Sequence, residues 1–436
     1  MKFQSILRKS PDTTFRQALF SGLAPDGSLY VPENIPAFSS DFIEHLLESS
    51  LHEIGCEIAN LFIDEIPPIE IEKIIHRAFS FPIPLVHLEE NIFLLELFHG
   101  PTLAFKDVGA RFMAETLSFF WQQEKQSLSI IVATSGDTGS AVANGFLNAP
   151  NINVFVLYPS KKISIMQEQQ MTTLGKNIFA IEVQGTFDDC QRIVKQTLND
   201  EQILARKKIT TANSINLGRL IPQIAYYVWG YAQMRKYFFE YIAEPVFAIP
   251  SGNFGNLTAG VYAKKMGTPI HHFVAATNAN DVVLNFFSTG KFIPATSVQT
   301  ISNAMDVGNP SNFSRLQTLF SNDIKKMKEE ISCDAVSDAE TLQEIYITYH
   351  NTKYILDPHT AVGVVAAKKY SKQCAQKNPV IVTATAHPGK FPEAIEKILQ
   401  KKITLPPQLS EAMQKTKQSI VIPPDYNTWK ELFLSM

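Results

Sequence analysis

The sequence has few or none of the features that mark several large classes of protein. Its 436 residues hold only four cysteines, and these lie too far apart for a disulfide framework or a Cys-x-x-Cys motif: Cys56, Cys190, Cys333 and Cys374. No apolar run approaches the roughly 20 residues of a membrane helix, and the N-terminal segment lacks the apolar stretch of a signal peptide. The net charge of −3 offers no basic surface for nucleic acid or an anionic membrane.

These absences predict a soluble, cytoplasmic protein with reduced cysteines. The ten histidines show no metal-binding spacing such as His-Glu-x-x-His, so we predict no metal site. Apolar residues make up 45% of the chain and charged residues 19%, a balance that can fill the core of a large α/β enzyme with two or three lobes.

From about residue 90 onward, short apolar runs alternate with helical patterns, which is typical of a parallel sheet covered on both faces. We expect a mixed N-terminal domain over residues 1–88, an α/β lobe over 89–240 and a second α/β lobe over 241–436. Ligands of open α/β sheets bind beyond the carboxyl ends of the strands. If the strands before them share a sheet, four loops converge on one crevice: "HGPTLAFK", "TSGDTGS", "PSGNFGN" and "TATAHPGK".

The first of these loops places Lys106 between a Gly-Pro turn and the first turn of a helix. The positive end of the helix dipole disfavours a cation there by about 0.3–1 kcal/mol, which a solvated lysine tolerates and a lysine that must lose its proton exploits. Near an apolar wall to which Phe105 contributes, such an amine can form a Schiff base. The aldehyde cofactor that uses a lysine in this way is pyridoxal phosphate.

That cofactor also needs a phosphate site and a partner for its pyridine nitrogen. "SGNFGN", from Ser251 to Asn256, follows a strand and opens a helix, so its backbone N–H groups suit a phosphate, although a purely structural turn has the same form. It has neither the Walker A pattern nor the Gly-x-Gly-x-x-Gly spacing of dinucleotide binders. Thr383 or Thr385 could serve the ring nitrogen, or could be ordinary buried hydroxyls.

"TSGDTGS" resembles the phosphate loop in shape and could hold a second anion such as a substrate carboxylate. Its Asp137-Thr138-Gly139-Ser140 also spells an aspartic-protease motif, but that mechanism needs two carboxylates, and no second copy occurs. Arg219, close to the start of a helix in "ANSINLGRLIPQ", and Lys162, after a strand in "PSKKIS", either face an anion or lie on the surface.

Taken together, these blocks resemble threonine synthase, in the short form found in bacteria and fungi. The resemblance covers nearly the whole chain, and its blocks occur in order, including "GLAPDGSLYVP", "LELFHGPTLAFKDVGARFM", "TSGDTGSAVANGF", "ANSINLGRLIPQ", "PSGNFGNLTAG", "SNAMDVGNPSNF", "DPHTAVGVVA" and "TAHPGKF". The resemblance implies the fold of fold-type II pyridoxal phosphate enzymes, with parallel-sheet lobes like those of the tryptophan synthase β-chain. The segment after about residue 406 matches more loosely.

The resemblance also implies a role for each matching residue. Lys106 is the cofactor lysine, and Thr385 is the partner of the pyridine nitrogen. The cofactor phosphate would be held by Gly252, Asn253, Phe254, Gly255 and Asn256. The substrate would be bound by Ser135, Thr138, Lys162, Asn216 and Arg219. Asp137 stands where some relatives have asparagine near the cofactor ring oxygen, and the sequence leaves its protonation state open.

The activity implied is conversion of O-phospho-L-homoserine and water to L-threonine and phosphate, by a protein that is usually a monomer. A threonine-synthase-like phospholyase giving 2-oxobutyrate is the main alternative, because sequence does not show the position of a water. A β-replacement or dehydratase activity on serine-like substrates, and an inactive binding protein on the same fold, are further alternatives.

Overall fold

The computed structural model describes residues 1–374 and 378–436, which form two parallel sheets covered by helices and a small N-terminal region. The strands are β1 (Phe3–Ser5), β2 (Tyr30–Pro32), β3 (Leu85–Glu89), β4 (Ile92–Glu96), β5 (Leu128–Ala133), β6 (Ile152–Pro159), β7 (Ile178–Val183), β8 (Lys208–Thr211), β9 (Val246–Pro250), β10 (His272–Thr277), β11 (Ile331–Ala335), β12 (Val380–Ala384) and β13 (Ile420–Ile422).

The helices are α1 (Phe15–Ser21), α2 (Ser40–His45), α3 (Leu51–Phe62), α4 (Pro68–Ala78), α5 (Lys106–Trp121), α6 (Asp137–Gly145), α7 (Ile165–Thr172), α8 (Phe187–Leu198), α9 (Glu201–Leu204), α10 (Leu217–Leu220), α11 (Ile224–Tyr237), α12 (Gly255–Lys265), α13 (Val282–Thr289), α14 (Phe313–Leu319), α15 (Ile324–Glu330), α16 (Asp338–Thr352), α17 (Pro358–Gln373), α18 (Pro392–Leu399), α19 (Pro407–Met413) and α20 (Tyr426–Ser435). Short 3₁₀ turns cover Ile221–Gln223, Asn303–Met305 and Pro388–Lys390.

The larger sheet has six strands in the order β11-β10-β9-β12-β4-β3, and only the edge strand β3 is antiparallel to its neighbour. The smaller sheet has five parallel strands in the order β13-β7-β6-β5-β8. Every residue of the inner strands β5, β9 and β12 is buried, as expected of strands with helices on both faces.

The four loops expected to meet at one crevice come from both sheets rather than from one. Three of them follow β4, β9 and β12 of the six-stranded sheet, whereas "TSGDTGS" follows β5 of the five-stranded sheet. The loops still converge, because the carboxyl ends of the strands in both sheets face the space between the sheets.

The sheets also divide the chain differently from the expected segments 1–88, 89–240 and 241–436. Strand β4, which leads to Lys106, pairs with β12 in the sheet that carries the phosphate loop, so the lysine and that loop belong to one lobe. The five-stranded sheet is built from residues 128–211 and completed by β13 near the C-terminus. Apolar runs predict strands, but the pairing depends on contacts between residues far apart in the chain.

In the described residues, no helix combines the length and apolarity needed to cross a bilayer, and no group of three His, Cys, Asp or Glu side chains is placed to bind a metal.

The C-terminal segment, for which the sequence gives no clear prediction, adds the edge strand β13 to the five-stranded sheet and packs helix α20 against it. Helix α20 places Trp429 in the core, where its indole lies edge-on to Phe155 with ring centroids 6.0 Å apart and stacks on Phe433 at 5.1 Å. Its Nε1 donates a 2.8 Å hydrogen bond to the Thr197 hydroxyl. The aromatic ring thus joins the end of the chain to helix α8 and strand β6.

We expect Trp429→Ala to lower the free energy of unfolding by about 3–5 kcal/mol, because it removes a fully buried ring and leaves a cavity. Urea unfolding followed by circular dichroism measures this change. Phe239→Ala, at an aromatic residue that is 78% exposed, is the matched control and should stay within about 0.5 kcal/mol of the wild type. Equal effects of the two substitutions would contradict this role for α20.

Candidate active site

A cavity between the two sheets, here called the Lys106 cavity, is lined by residues from all four loops. The residues predicted from the sequence that line it are Lys106, Ser135, Thr138, Arg219, Gly252, Asn253, Phe254, Gly255, Asn256 and Thr385. Two predicted residues, Lys162 and Asn216, are not part of its lining. The tertiary structure therefore brings together groups that are up to 279 positions apart, between Lys106 and Thr385.

Lys106 is the first residue of helix α5, where no side chain caps the free backbone N–H groups. Its Nζ lies 5.1 Å from the centroid of the Phe105 ring, which forms part of the apolar wall expected from the sequence. Burial lowers the pKa of Lys106 from 10.5 to about 8; nearby Asp137 raises it, whereas Lys390 and Arg219 lower it further. The neutral, nucleophilic form of this amine is therefore far more populated near neutral pH than in an ordinary lysine.

The "SGNFGN" loop forms an anion site at the start of helix α12. Phe254 adopts a left-handed conformation with φ of 60° as the N-cap, and no side chain caps the helix. A Cβ at Gly252 would lie 2.9 Å from the Cα of Met305, so glycine permits the close approach of the 3₁₀ turn Asn303–Met305. The Nδ2 atom of Asn256 is buried without a hydrogen-bond partner. Free helix N–H groups and an orphaned amide donor fit the phosphate of pyridoxal phosphate.

The second loop, "TSGDTGS", is shaped by Gly136 and Thr134. Gly136 has φ of 134°, and a Cβ there would lie 2.4 Å from the side chain of Gln167, so only glycine fits. The Thr134 hydroxyl accepts hydrogen bonds from the backbone N–H groups of Gly136 and Gly139, at 2.9 and 2.7 Å. Ser135 and Thr138 line the cavity, and among the described residues neither side chain has a hydrogen-bond partner.

Thr385 occupies the fourth loop, and its backbone C=O accepts a 2.9 Å hydrogen bond from the N–H of Phe105. This contact joins the end of strand β12 to the residue that precedes Lys106. Thr383, the other candidate, is fully buried within β12 and does not line the cavity. Of the two threonines, Thr385 is therefore the one placed to meet a ligand.

Asp137 is buried and ionised, which answers the question that the sequence leaves open. Its Oδ1 atom is 2.7 Å from Nζ of Lys390 and accepts a 2.9 Å hydrogen bond from Nε2 of Gln167, while its Oδ2 atom is 3.9 Å from Nζ of Lys106. Burial raises the pKa of the carboxyl, but the Lys390 and Lys106 ammonium groups outweigh this and hold it well below its ordinary value.

The contacts of Lys390 and Gln167 with Asp137 are not predicted by the sequence analysis. Lys390 lies in "TAHPGKF", in the loop after β12, so the rule that drew attention to the other loops applies to it as well. Gln167 lies in helix α7, where Ser164-x-x-Gln167 has the pattern of a capping box and its Oε1 accepts from the Ser164 N–H, but this local pattern does not indicate a contact with Asp137. Only its proximity to Asp137 and Gly136 in space identifies it.

Arg219 supplies a cation to the Lys106 cavity. The guanidinium is 2% exposed, its Nη1 donates a 2.7 Å hydrogen bond to the C=O of Ala212, and its Nε has no hydrogen-bond partner. Burial lowers its pKa to about 10, and within the described residues no carboxylate forms an ion pair with it. A buried cation of this kind suits a ligand anion.

The other two residues predicted to bind substrate are placed differently. Asn216 caps helix α10: its Oδ1 accepts from the N–H of Gly218, and its Nδ2 donates to the C=O of Leu19 and of Thr211. This side chain is fully used in local structure, so the substrate role expected for Asn216 is not supported by the geometry. Lys162 lines a second cavity of about 700 Å³ beside helix α18.

The parallel sheets, the buried lysine at a helix start and the uncapped glycine-rich helix opposite it define a pyridoxal-phosphate-dependent enzyme, and residues 79–386 match the family model described in those words. Residues 2–79 match the model for the threonine synthase N terminus, and residues 360–432 match the one for the threonine synthase C-terminal region. The chain belongs to the threonine synthase family.

The individual relatives agree with this assignment over the full length. The chain is 41% identical over 436 residues to threonine synthase of Buchnera aphidicola subsp. Baizongia pistaciae, covering 100% of both chains. The crystal structure of threonine synthase from Escherichia coli superposes with a TM-score of 0.92 at 38% identity, covering 100% of both. The crystal structure of pyridoxal phosphate-bound threonine synthase from Brucella melitensis superposes with a TM-score of 0.91 at 33% identity, and the match covers 99% of this chain and 98% of that one. The expected fold-type II fold and family are confirmed.

We expect the amine of Lys106 in the cofactor-free protein to titrate near pH 8. Only the neutral amine reacts with acetic anhydride, so the rate of acetylation at Lys106, followed by peptide mass spectrometry, should rise with pH and reach half its maximum at about 8. Because Asp137 raises this pKa, Asp137→Asn should lower the midpoint.

Asp188→Asn, at an exposed carboxylate, is the matched control and should leave the midpoint unchanged. A midpoint near the ordinary lysine value of 10.5 in the wild type would contradict the burial argument.

Proposed function

We propose that the protein converts O-phospho-L-homoserine and water to L-threonine and inorganic phosphate. The observation that carries this proposal is the placement, in one cavity, of a buried amine with a lowered pKa, an uncapped helix start for one phosphate, and a buried arginine for a second. The full-length similarity to threonine synthases supports it.

The residues that would hold the cofactor follow from these positions. Lys106 would bind the aldehyde, residues 252–256 would hold the phosphate through N–H groups, and the Thr385 hydroxyl would donate to or accept from the ring nitrogen's side of the cofactor. When bound, pyridoxal phosphate supplies an electron-withdrawing ring that stabilises negative charge at carbon atoms next to the substrate nitrogen. A hydroxyl partner leaves that nitrogen largely unprotonated, so precise proton transfer by protein groups gains importance.

Lys106 is the base of the proposed reaction. Its neutral amine would accept the proton from the substrate α carbon. A second proton would then leave the β carbon and phosphate would leave the γ carbon. A proton would add to the γ carbon, the OH of a water molecule to the β carbon, and a proton would return to the α carbon, which gives threonine; the proton released by the water neutralises the phosphate. Phe105 and the surrounding buried residues limit the access of other water molecules to these steps.

Arg219 stabilises the departing phosphate. Its charge is buried and without an acidic partner in the described structure, so little reorganisation is needed when negative charge develops on the leaving group. Ser135 and Thr138 would hold the substrate carboxylate with their hydroxyls. Lys162 remains a candidate for guiding the substrate phosphate from the neighbouring cavity.

The purified protein with pyridoxal phosphate and O-phospho-L-homoserine should release phosphate and threonine in equal amounts. Threonine is measured by amino-acid analysis and 2-oxobutyrate by a coupled lactate dehydrogenase assay. Equal release of phosphate and 2-oxobutyrate would instead identify a phospholyase, in which water does not add to the β carbon.

Lys106→Ala should abolish both the visible absorbance band of the cofactor-loaded protein and turnover, because it removes the amine that binds the cofactor and moves the proton. Lys402→Ala, at an exposed lysine, should retain both. A wild-type protein that stays colourless with added pyridoxal phosphate would support the inactive binding protein instead.

Arg219→Met should lower kcat/KM for O-phospho-L-homoserine by roughly 10- to 100-fold, since a charge-assisted hydrogen bond is worth about 1.5–3 kcal/mol. The inhibition constant of inorganic phosphate should rise in parallel. Arg192→Met, which removes an exposed ion pair with Asp189, is the matched control. A silent Arg219→Met would favour a β-replacement or dehydratase activity, which has no phosphate to stabilise.

We further propose that the protein works as a monomer in the cytoplasm. All four cysteines are free thiols, in keeping with a reducing compartment. Light scattering after size-exclusion chromatography tests the monomer directly against a mass of 48.8 kDa.

A further inference from the structure

Lys390 is a fully buried cation that does not itself line the Lys106 cavity. It ends the 3₁₀ turn Pro388–Lys390, and its Nζ lies 2.7 Å from Oδ1 of Asp137 and donates a 2.9 Å hydrogen bond to the C=O of Thr102. It therefore contacts Asp137 at Oδ1, whereas Lys106 is nearest to Oδ2.

The two oxygens of Asp137 have different partners. Oδ1 is held by Lys390 and by Nε2 of Gln167, both within 2.9 Å. Oδ2 is 3.9 Å from Nζ of Lys106, beyond hydrogen-bond distance, so this pair interacts through charge alone. His359 also faces Asp137, and Arg219 also faces Lys106.

We propose that Lys390 is a positioning residue that keeps Asp137 ionised whether or not Lys106 carries a proton, so that Lys106 alone carries the proton during the reaction. This rests on the proposed function only where turnover is measured.

The number of ammonium groups close to the buried Asp137 carboxylate depends on whether Lys106 carries a proton. With Lys106 protonated, Asp137 has two ammonium groups within 4 Å; when Lys106 is neutral, only that of Lys390 remains. Without Lys390, loss of the Lys106 charge would leave a buried carboxylate with no ammonium partner, and such a group takes up a proton instead. Asp137 would then compete with Lys106 for the proton that the reaction moves.

The contacts of Lys390 also separate this role from that of a structural brace. A purely structural Lys390 would act through its hydrogen bond to the Thr102 C=O and through the packing of the 3₁₀ turn. Its loss would change the free energy of unfolding but not which side chain holds a proton. The proposed role acts through charge, so arginine should replace lysine at position 390, and the effect should depend on the presence of Asp137.

The first experiment measures the protonation of Asp137 in cofactor-free protein. Lys106→Ala imitates the state without the Lys106 charge, and isotope-edited infrared spectroscopy with ¹³C-labelled aspartate, using Asp137→Asn to assign the band, reports whether Asp137 is ionised. At neutral pH we expect an ionised carboxylate in Lys106→Ala and a protonated carboxyl in Lys106→Ala/Lys390→Met. An ionised Asp137 in the double variant would overturn the proposal.

The second experiment uses acetylation of Lys106 in the cofactor-free protein. Lys390→Met should raise the midpoint by about one pH unit or more, because the lone Asp137–Lys106 pair retains its proton. Lys390→Arg and the exposed control Lys402→Met should leave it near that of the wild type. An unchanged midpoint in folded Lys390→Met would assign Lys390 to structure alone.

Folding and turnover complete the test. If Lys390→Met does not fold, the double variant Asp137→Asn/Lys390→Met removes both charges of the buried pair. The midpoint of Lys106 acetylation in this variant should differ from that in Asp137→Asn, which keeps the Lys390 cation. Equal midpoints in the two variants would overturn the proposal. In cofactor-loaded protein, Lys390→Met should lower kcat at least 10-fold and shift its pH profile, with Lys390→Arg restoring both. A wild type without threonine-forming activity would refute the proposed function while leaving the two titrations interpretable.

Discussion

The site depends on the exclusion of water from three charged side chains that meet between two sheets. Lys106 loses part of its affinity for a proton because it is buried, and Asp137 remains charged in the same surroundings because Lys390 lies 2.7 Å away. In water these interactions would each be small, since solvent screens charges at such distances. Inside the protein they decide which group is an acid, which is a base and which is a fixed anion.

Backbone N–H groups at helix starts, as well as charged side chains, are available to bind anions in the Lys106 cavity. Helices α5 and α12 begin at the cavity without a side-chain cap, whereas helices elsewhere in the chain, such as α3, α8 and α16, begin with a capping box. An uncapped helix start leaves N–H groups free for a phosphate or carboxylate. The cost of those unsatisfied donors is recovered when a ligand binds.

Much of the fold class and most of the site could be read from the linear sequence because both depend on local signals. A continuous apolar run followed by Gly, Ser or Thr and then a helical pattern identifies a strand, its loop and the helix that begins there, and this placed Lys106, Gly252 and Thr385 correctly at strand ends. The same local signal suggested that Asn216 binds substrate. Its position at a helix start can be read from the sequence, but its side-chain amide is already hydrogen-bonded to the N–H of Gly218 and the C=O of Leu19.

The sequence by itself determined which residues could perform the chemistry, because residue type and position at a strand end are properties of short segments. The tertiary structure alone decided which strands pair, that the strands before Lys106 and before the phosphate loop lie in one sheet, and that Gln167 and Lys390 contact Asp137. These outcomes arise from packing between segments hundreds of residues apart. The ionisation of Lys106 and Asp137 belongs to the same class, since burial and neighbouring charge exist only in the folded chain.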